Sequence, residues 1–345
     1  MKGTRICIWL LAVVSSFFPV ADSVFAPSGV IGEVAWSSSP RVVEDAPGSW
    51  ALERINEQAA RQRSLIGQGV TVAVIDTGID FSSIRGARAW TARGEIPDNR
   101  VDDDGNGYID DLHGWNFDAG VPVGSSSGNL HWHGTFVAGL IGDERFGVAP
   151  GVTLMDLRVT DARGRIWSWS AVEEAIRYAV DNGAQVINLS LIFNSPPPKG
   201  VVESLDYAQE HGVVVIGSAG NSGRDVMFPA RLRNVCAVSA TADGDVIAPF
   251  SSHGVAVSLS APGADVPSLL PDGRCATSSG TSFAAAYVSG AVAVLVSSRH
   301  GSPSAQLHIL EESAVDIGAF GRDPLYGWGR IDLARAVALA DPTSM

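Results

Sequence analysis

The sequence predicts an α/β fold, a mainly parallel central sheet with helices on both faces, and three observations predict it. Five short apolar runs, 70–75, 153–159, 186–191, 213–218 and 235–240, read as strands buried on both sides. Stretches with helical punctuation alternate with them, the pattern of parallel strands joined by crossover helices. With 345 residues and 46% hydrophobic side chains, the chain is also long and apolar enough to bury one large core.

The elements follow in order. Residues 1–23 carry Lys2 and Arg5 ahead of a largely apolar stretch, 6–20, broken by Ser15, Ser16 and Pro19. Small residues suited to cleavage follow in Ala21-Asp22-Ser23 or Val24-Phe25-Ala26, so the segment reads as a signal peptide. An anchor would want about 18 uninterrupted apolar residues, and no later stretch offers them. The expectation is a secreted or periplasmic protein with no stable membrane insertion after signal cleavage. Export would discard Cys7 and leave Cys236 and Cys275, whose pairing the sequence leaves open.

Residues 24–49 are rich in Ser, Pro, Gly and Val without a sustained period, which reads as a short extension or linker. Ordered structure is expected from about Trp50, as a single domain over 50–340. Ser170-Ala171-Val172-Glu173 reads as a capping box opening a helix that Gly183 closes. A second helical stretch over 200–211 stops at Gly212. Residues 280–298 are small and apolar nearly all round, which predicts a helix buried in the middle of the domain. A last helix over 331–340 has Asp332 as its cap.

The charge balance removes two classes of partner. The 37 acidic against 24 basic side chains give a net charge of −13, without the basic footprint that nucleic acid or an anionic membrane needs. A monomer with no organic cofactor is expected.

Three segments carry reactive groups where a strand ends or a helix begins. Asp76-Thr77-Gly78 puts a carboxylate at the end of a buried strand, and His131-Trp132-His133-Gly134-Thr135 puts an imidazole before the helical run 136–141. Gly280-Thr281-Ser282 puts a hydroxyl at the start of the buried small-residue helix. Asp, His and Ser fill the three roles of a nucleophilic relay, and their order along the chain distinguishes the folds that host it. Here it is Asp76, His133, Ser282, the subtilisin order.

With Asn188-Leu189-Ser190-Leu191 and Ala219-Gly220-Asn221, these motifs resemble the subtilisin-like serine proteases, the subtilases, over about 50–340. The resemblance implies a subtilisin-like sheet and a secreted serine endopeptidase working through an acyl-enzyme, with Asp76, His133 and Ser282 as triad. Asn221 would supply the oxyanion hole together with the Ser282 amide. Ser190, Leu191 and Ile192, with Ser218, Ala219 and Gly220, would bind substrate and wall the S1 pocket. The family pattern is Ser-Leu-Gly where this chain has Ser190-Leu191-Ile192. A β-branched residue there predicts a narrowed pocket that disfavours Phe and Tyr, unless Ile192 turns into the core. Subtilases are usually made with a folded propeptide, for which 24–49 is too short. Finally, Asp102, Asp104, Asn106, Tyr108 and Asp110 place oxygen ligands at alternate positions around Gly105, an EF-hand-like start lacking the bidentate Glu. Related loops in subtilases make this a candidate calcium site.

Overall fold

The structure is a computed structural model of the chain and describes residues 29–35, 38–44, 50–124, 130–298 and 301–340. The signal peptide read over 1–23 lies outside the described residues. Two short strands come first, β1 (Gly32–Val34) and β2 (Arg41–Val42), then helices α1 (Trp50–Arg54) and α2 (Gln58–Gln62). The next strands are β3 (Thr71–Asp76), β4 (Arg88–Ala89), β5 (Gly114–Asn116) and β6 (Val121–Pro122). Helix α3 (Trp132–Gly142) leads to β7 (Thr153–Arg158) and β8 (Arg165–Ile166). After α4 (Trp169–Asp181) come β9 (Val186–Leu189), β10 (Leu191–Phe193) and α5 (Lys199–Glu210). Strands β11 (Val214–Ser218), β12 (Cys236–Thr241), β13 (Val257–Pro262), β14 (Val266–Leu269) and β15 (Cys275–Ser278) precede α6 (Thr281–Ser297), α7 (Pro303–Glu312) and α8 (Leu333–Ala340).

Nine strands form the central sheet in the order β13-β12-β11-β9-β3-β7-β5-β6, with β4 also on β7. Every pairing is parallel except β5 with β6. Strand β3 shows why the runs read as continuous apolar segments. Val72 and Val74 enter a cluster with α3, α6 and α8, while Ala73 and Ile75 enter a second cluster with α4 and α5. Both faces are covered, so alternate residues are buried in opposite directions. Helix α6 is buried from Thr281 to Leu295, as its small apolar sequence requires. No helix among the described residues is long and apolar enough to cross a membrane.

Two expectations are corrected. The capping residue of α4 is Ser168, whose hydroxyl accepts the Ala171 amide at 3.4 Å, while Ser170 bonds Ser168 at 2.7 Å and Glu173 pairs with Arg177. The ordered chain also begins well before Trp50. Residues 29–35 contribute β1, antiparallel to both β10 and β8, and residues 38–44 contribute β2, antiparallel to β15. They have no period of their own because the edges of other strands order them, not a face of their own. Cys236 and Cys275 are free thiols, the first buried.

Candidate active site

Asp76 closes β3 in the middle of the sheet and is fully buried. His133, the second residue of α3, presents Nδ1 to both carboxylate oxygens, at 2.8 and 3.0 Å. The Thr77 amide donates to Oδ1 of Asp76 at 2.7 Å. Thr77 also ties the strand exit to the helix start: its hydroxyl donates to the His131 carbonyl at 3.0 Å and accepts from the Gly134 amide at 2.8 Å. Here the two segments touch backbone to backbone. A Cβ on Gly134 would lie 2.4 Å from the Gly78 carbonyl oxygen, so any side chain would push α3 off the strand. The glycines of the two motifs thus bring carboxylate and imidazole together.

His131 caps α3, its Nδ1 accepting the His133 amide at 3.4 Å. Burial, and then the neighbouring His133, hold its pKa down to about 4, which keeps it a neutral acceptor.

Ser282 is the second residue of α6, and the Asn188-Leu189-Ser190 motif holds that helix in place. Ser190 donates its hydroxyl to the Ser282 carbonyl at 3.0 Å and accepts from Asn188 Nδ2 at 2.9 Å, while Asn188 Oδ1 accepts from Ser289 at 3.0 Å. The Ser282 hydroxyl itself donates to the Ala35 carbonyl and, at 3.2 Å, to the Ser190 carbonyl. Asn221 accepts through Oδ1 from the Thr281 amide and hydroxyl, at 2.9 and 3.0 Å. This orients its Nδ2 away from Thr281, and Nδ2 is buried with no hydrogen-bond partner among the described residues. A carboxylate that sets the imidazole tautomer, a serine at a helix start and an aimed amide donor are the parts of nucleophilic acyl transfer.

A model of the subtilase family matches residues 67–329. The chain belongs to the subtilase family. It is 33% identical over 298 residues to subtilisin BL and to subtilisin Savinase, both of Lederbergia lenta, covering 83% of this chain and 97% of each relative. The alkaline protease of Shouchella clausii is also 33% identical over 298 residues, covering 83% of this chain and 69% of that protein. This subtilase is a serine-type endopeptidase, a hydrolase of peptide or protein substrates.

Of the residues expected to bind substrate, Ser190, Leu191 and Ile192 pair with the chain's own segment 29–35. Ala35 donates its amide to the Ser190 carbonyl at 3.0 Å, and Ile192 lies opposite Glu33 in the ladder. Leu191 and Phe193 belong to the α4/α5 cluster and Ile192, between them, does not. By strand alternation it faces the other way. Ser218 donates to the Leu191 carbonyl at 3.2 Å, and Ala219 is fully buried. A Cβ at Gly220 would come within 2.8 Å of Met227 Cγ, so Met227 stands against this wall. Nothing in the sequence around Met227 signalled that position.

The acidic loop is arranged differently from its spacing. Of the five expected ligands only Asp104 joins a cluster, with Glu95 and Asp111, whose carboxylate oxygens lie within 4.8 Å of one another. Asp102 instead accepts the amides of Gly105, Asn106 and Gly107, and Asp110 those of Asn99 and Arg100. Asn106 Oδ1 accepts the Tyr108 amide, and the Tyr108 ring packs on Trp115, Phe117 and Tyr178. These four shape the turn. Glu95 Oε2 and Asp111 Oδ1 are buried without a hydrogen-bond partner among the described residues. Burial, with Asp104 and Glu95 nearby, raises the Asp111 pKa. Glu95 sits seven residues before the loop, which is why the alternate spacing missed it.

Another carboxylate lies close to Asp76. Asp156 on β7 is opposite Val74 of β3 and accepts the Ile79 amide through Oδ2 at 3.0 Å. Its Oδ1 is buried without a partner among the described residues. Burial raises its pKa from 3.8 to about 7, against the Ile79 amide and Arg158 and with help from the Asp76 charge. The folded state therefore keeps a proton that the unfolded chain loses above about pH 4. Stability should fall as pH rises from about 4 to about 7 and level off beyond. Asp156→Asn, which keeps an acceptor for Ile79, should melt near wild type at pH 4, gain on it steadily to pH 7 and hold that gain at higher pH. Parallel melting curves for the two proteins across this range would show Asp156 to be ionised throughout.

Proposed function

We propose that Asp76, His133 and Ser282 are the catalytic triad of this endopeptidase, with Asn221 Nδ2 and the Ser282 amide as its oxyanion hole. The buried contact of His133 Nδ1 with both Asp76 oxygens carries the reading. It leaves Nε2 as the atom that takes the Ser282 proton while Oγ attacks the substrate carbonyl. Negative charge then grows on the carbonyl oxygen, where the Asn221 amide, oriented by Thr281, is preorganised to donate. His133 gives the proton to the leaving amine, and water attacks the acyl-Ser282. Residues 1–23 direct the protein to a secreted or periplasmic location.

Ser282→Ala or His133→Ala should each cut kcat by several orders of magnitude, since the triad acts as a unit. Asn221→Ala should lower kcat by about 10²–10³ with KM little changed, a range set by subtilisin itself and carried over here. Turnover near normal in Ser282→Ala would refute the assignment.

The same reading extends to specificity. Ser190, Leu191 and Ile192 form one S1 wall, and Ser218, Ala219 and Gly220 the other. Ile192, facing away from the core, and Met227, against Gly220, both take up space there. A small P1 side chain is therefore preferred over Phe or Tyr, and Ile192→Gly should widen the choice. Profiling wild type and variant on one peptide library reads this directly, and a wild type that already favours aromatic P1 residues would end it.

Calcium is the further ligand. The orphaned Glu95 and Asp111 oxygens, with Asp104, fit a hard divalent cation, which would cancel their mutual repulsion and pin the loop. Calcium at about 100 times its Kd should stabilise the fold by about 2.7 kcal/mol. Glu95→Gln with Asp111→Asn should abolish the shift in Tm. Superimposed melting curves of wild type with calcium and with chelator would leave the cluster a purely structural turn.

A further inference from the structure

Asp156 is a buried titratable group that the acyl-transfer steps leave unused, and it stands next to them. In the ladder of β3 and β7, Val74 lies opposite Asp156 and Asp76 opposite Arg158. Val72, Val74 and Leu154 enter the cluster with α3, while Ala73, Ile75, Met155 and Leu157 enter the other. By the same alternation Asp76 and Asp156 point to the α3 side, as diagonal neighbours on two adjoining strands. Both are buried.

The turn that leaves β3 is fastened residue by residue beneath α3. The Thr77 hydroxyl bonds the His131 carbonyl and the Gly134 amide, and the Asp80 amide donates to the Thr135 hydroxyl at 3.0 Å. Between them the Ile79 amide donates to Asp156 Oδ2 at 3.0 Å. The Thr77 and Thr135 contacts join the turn to α3, and the Asp156 contact joins it to the sheet. A Cβ on Gly78 would lie 4.0 Å from the same Asp156 oxygen, and the Gly78 carbonyl is the group that Gly134 approaches. Asp156 thus supports the turn on which the start of α3, and with it His133, rests.

We propose that Asp156 is a positioning residue of this endopeptidase that works as a neutral carboxylic acid, holding the 77–79 turn for His133, and that its ionisation restrains the imidazole as a base by placing a second buried negative charge beside Asp76. This rests on the triad assigned above. The surroundings favour the neutral acid, because Oδ1 is buried with no hydrogen-bond partner among the described residues. The charges around it are Asp76 on β3, His133 on α3 and Arg158 on β7, with the neutral His131 at the start of α3 and Asp118 and Asp161 beyond Arg158. Arg158 gives its Nε to the Thr160 carbonyl at 3.0 Å and its charge also answers Asp118. On the β5 side the His113 carbonyl accepts the Asp156 amide at 3.4 Å, while the His113 ring lies 2.7 Å from the Trp90 carbonyl. With its pKa raised to about 7 by burial, Asp156 ionises in the range where a histidine base becomes active.

With Asp156 neutral, one carboxylate answers the imidazolium. With Asp156 ionised, two do, and the proton is held more tightly. Neutral His133 is the active form, so the Asp156 charge delays activation as pH rises. The two groups then titrate as a coupled pair, which flattens the acid limb of the rate profile and moves its midpoint up by about 0.5–1 pH unit.

The test measures kcat and KM of wild type, Asp156→Asn and Asp156→Ala on one uncharged peptide substrate from pH 5 to 9, with fluorophosphonate labelling rates over the same range. Asp156→Asn, which keeps the acceptor and cannot ionise, should show a one-proton acid limb with its midpoint lower by about 0.5–1 unit. It should be about twofold faster than wild type near pH 7 and converge with it at either end of the range. Asp156→Ala leaves the Ile79 amide unanswered and should lose about tenfold in kcat at pH 9 with KM little changed, a loss that Asn restores. A purely structural Asp156 would lower the Tm of the Ala variant and leave the midpoint of both variants at the wild-type pH. Superimposable acid limbs of wild type and Asp156→Asn would overturn the coupling, and that comparison stands even where Asp156→Ala does not fold. Wild-type kcat in a folded Asp156→Ala would overturn the positioning. If wild type itself neither labels nor cleaves, the triad falls first and this proposal with it, whereas an active enzyme with superimposable limbs removes the Asp156 coupling alone.

Discussion

A carboxylate with no exposure to water, held by an imidazole from 57 residues further along the chain, is the constraint around which this molecule is built. Removing such a charge from water costs several kcal/mol unless nearby donors answer it, and the answer here comes from the Thr77 amide and His133 Nδ1. Both donors depend on β3 ending where α3 begins. That in turn depends on Gly134 having no side chain to separate them. The parallel sheet supplies the rest: β3 lies between β9 and β7, so its end is fixed from both sides and opens on the edge where ligands of such sheets collect.

Ser282 is placed by an independent device. Ser289, Asn188 and Ser190 form a buried chain of hydrogen bonds from the middle of α6, through the end of β9, back to the Ser282 carbonyl. A helix made almost wholly of small apolar residues has no polar handles for its register, and these hydroxyls supply them. Such a network is effective because each member is satisfied. Asn221 departs from that rule at one atom, its Nδ2. An unanswered buried donor at the end of a fully bonded side chain is the kind of local cost that functional sites carry.

Legibility in the sequence followed how each feature is encoded. The strands and α6 were readable because burial on two faces writes continuous apolar runs, and the family because its motifs sit at element ends in a diagnostic order. Ser168 and Ser170 are both competent caps, and only the path of the chain entering α4 selects the first. The acidic loop misled because spacing counts oxygens without their directions: Asp102 and Asp110 turn theirs onto backbone amides, and Glu95 joins from outside the motif. Strands β1 and β2 were illegible for the deepest reason. A strand ordered by the edges of β8, β10 and β15 needs little from its own side chains beyond fitting, so composition alone made it a linker.

Those edges connect the fold to its use. The feature all peptides share is the backbone, and strand edges short of partners are what can pair with it. Unpaired edges are otherwise a hazard, because any extended chain can add to them. In this molecule β10 and β8 flank one slot and β15 borders the next, with Ser282 between them. Residues 32–34 and 41–42 of the chain pair with those edges by the same backbone ladder that any added strand would use.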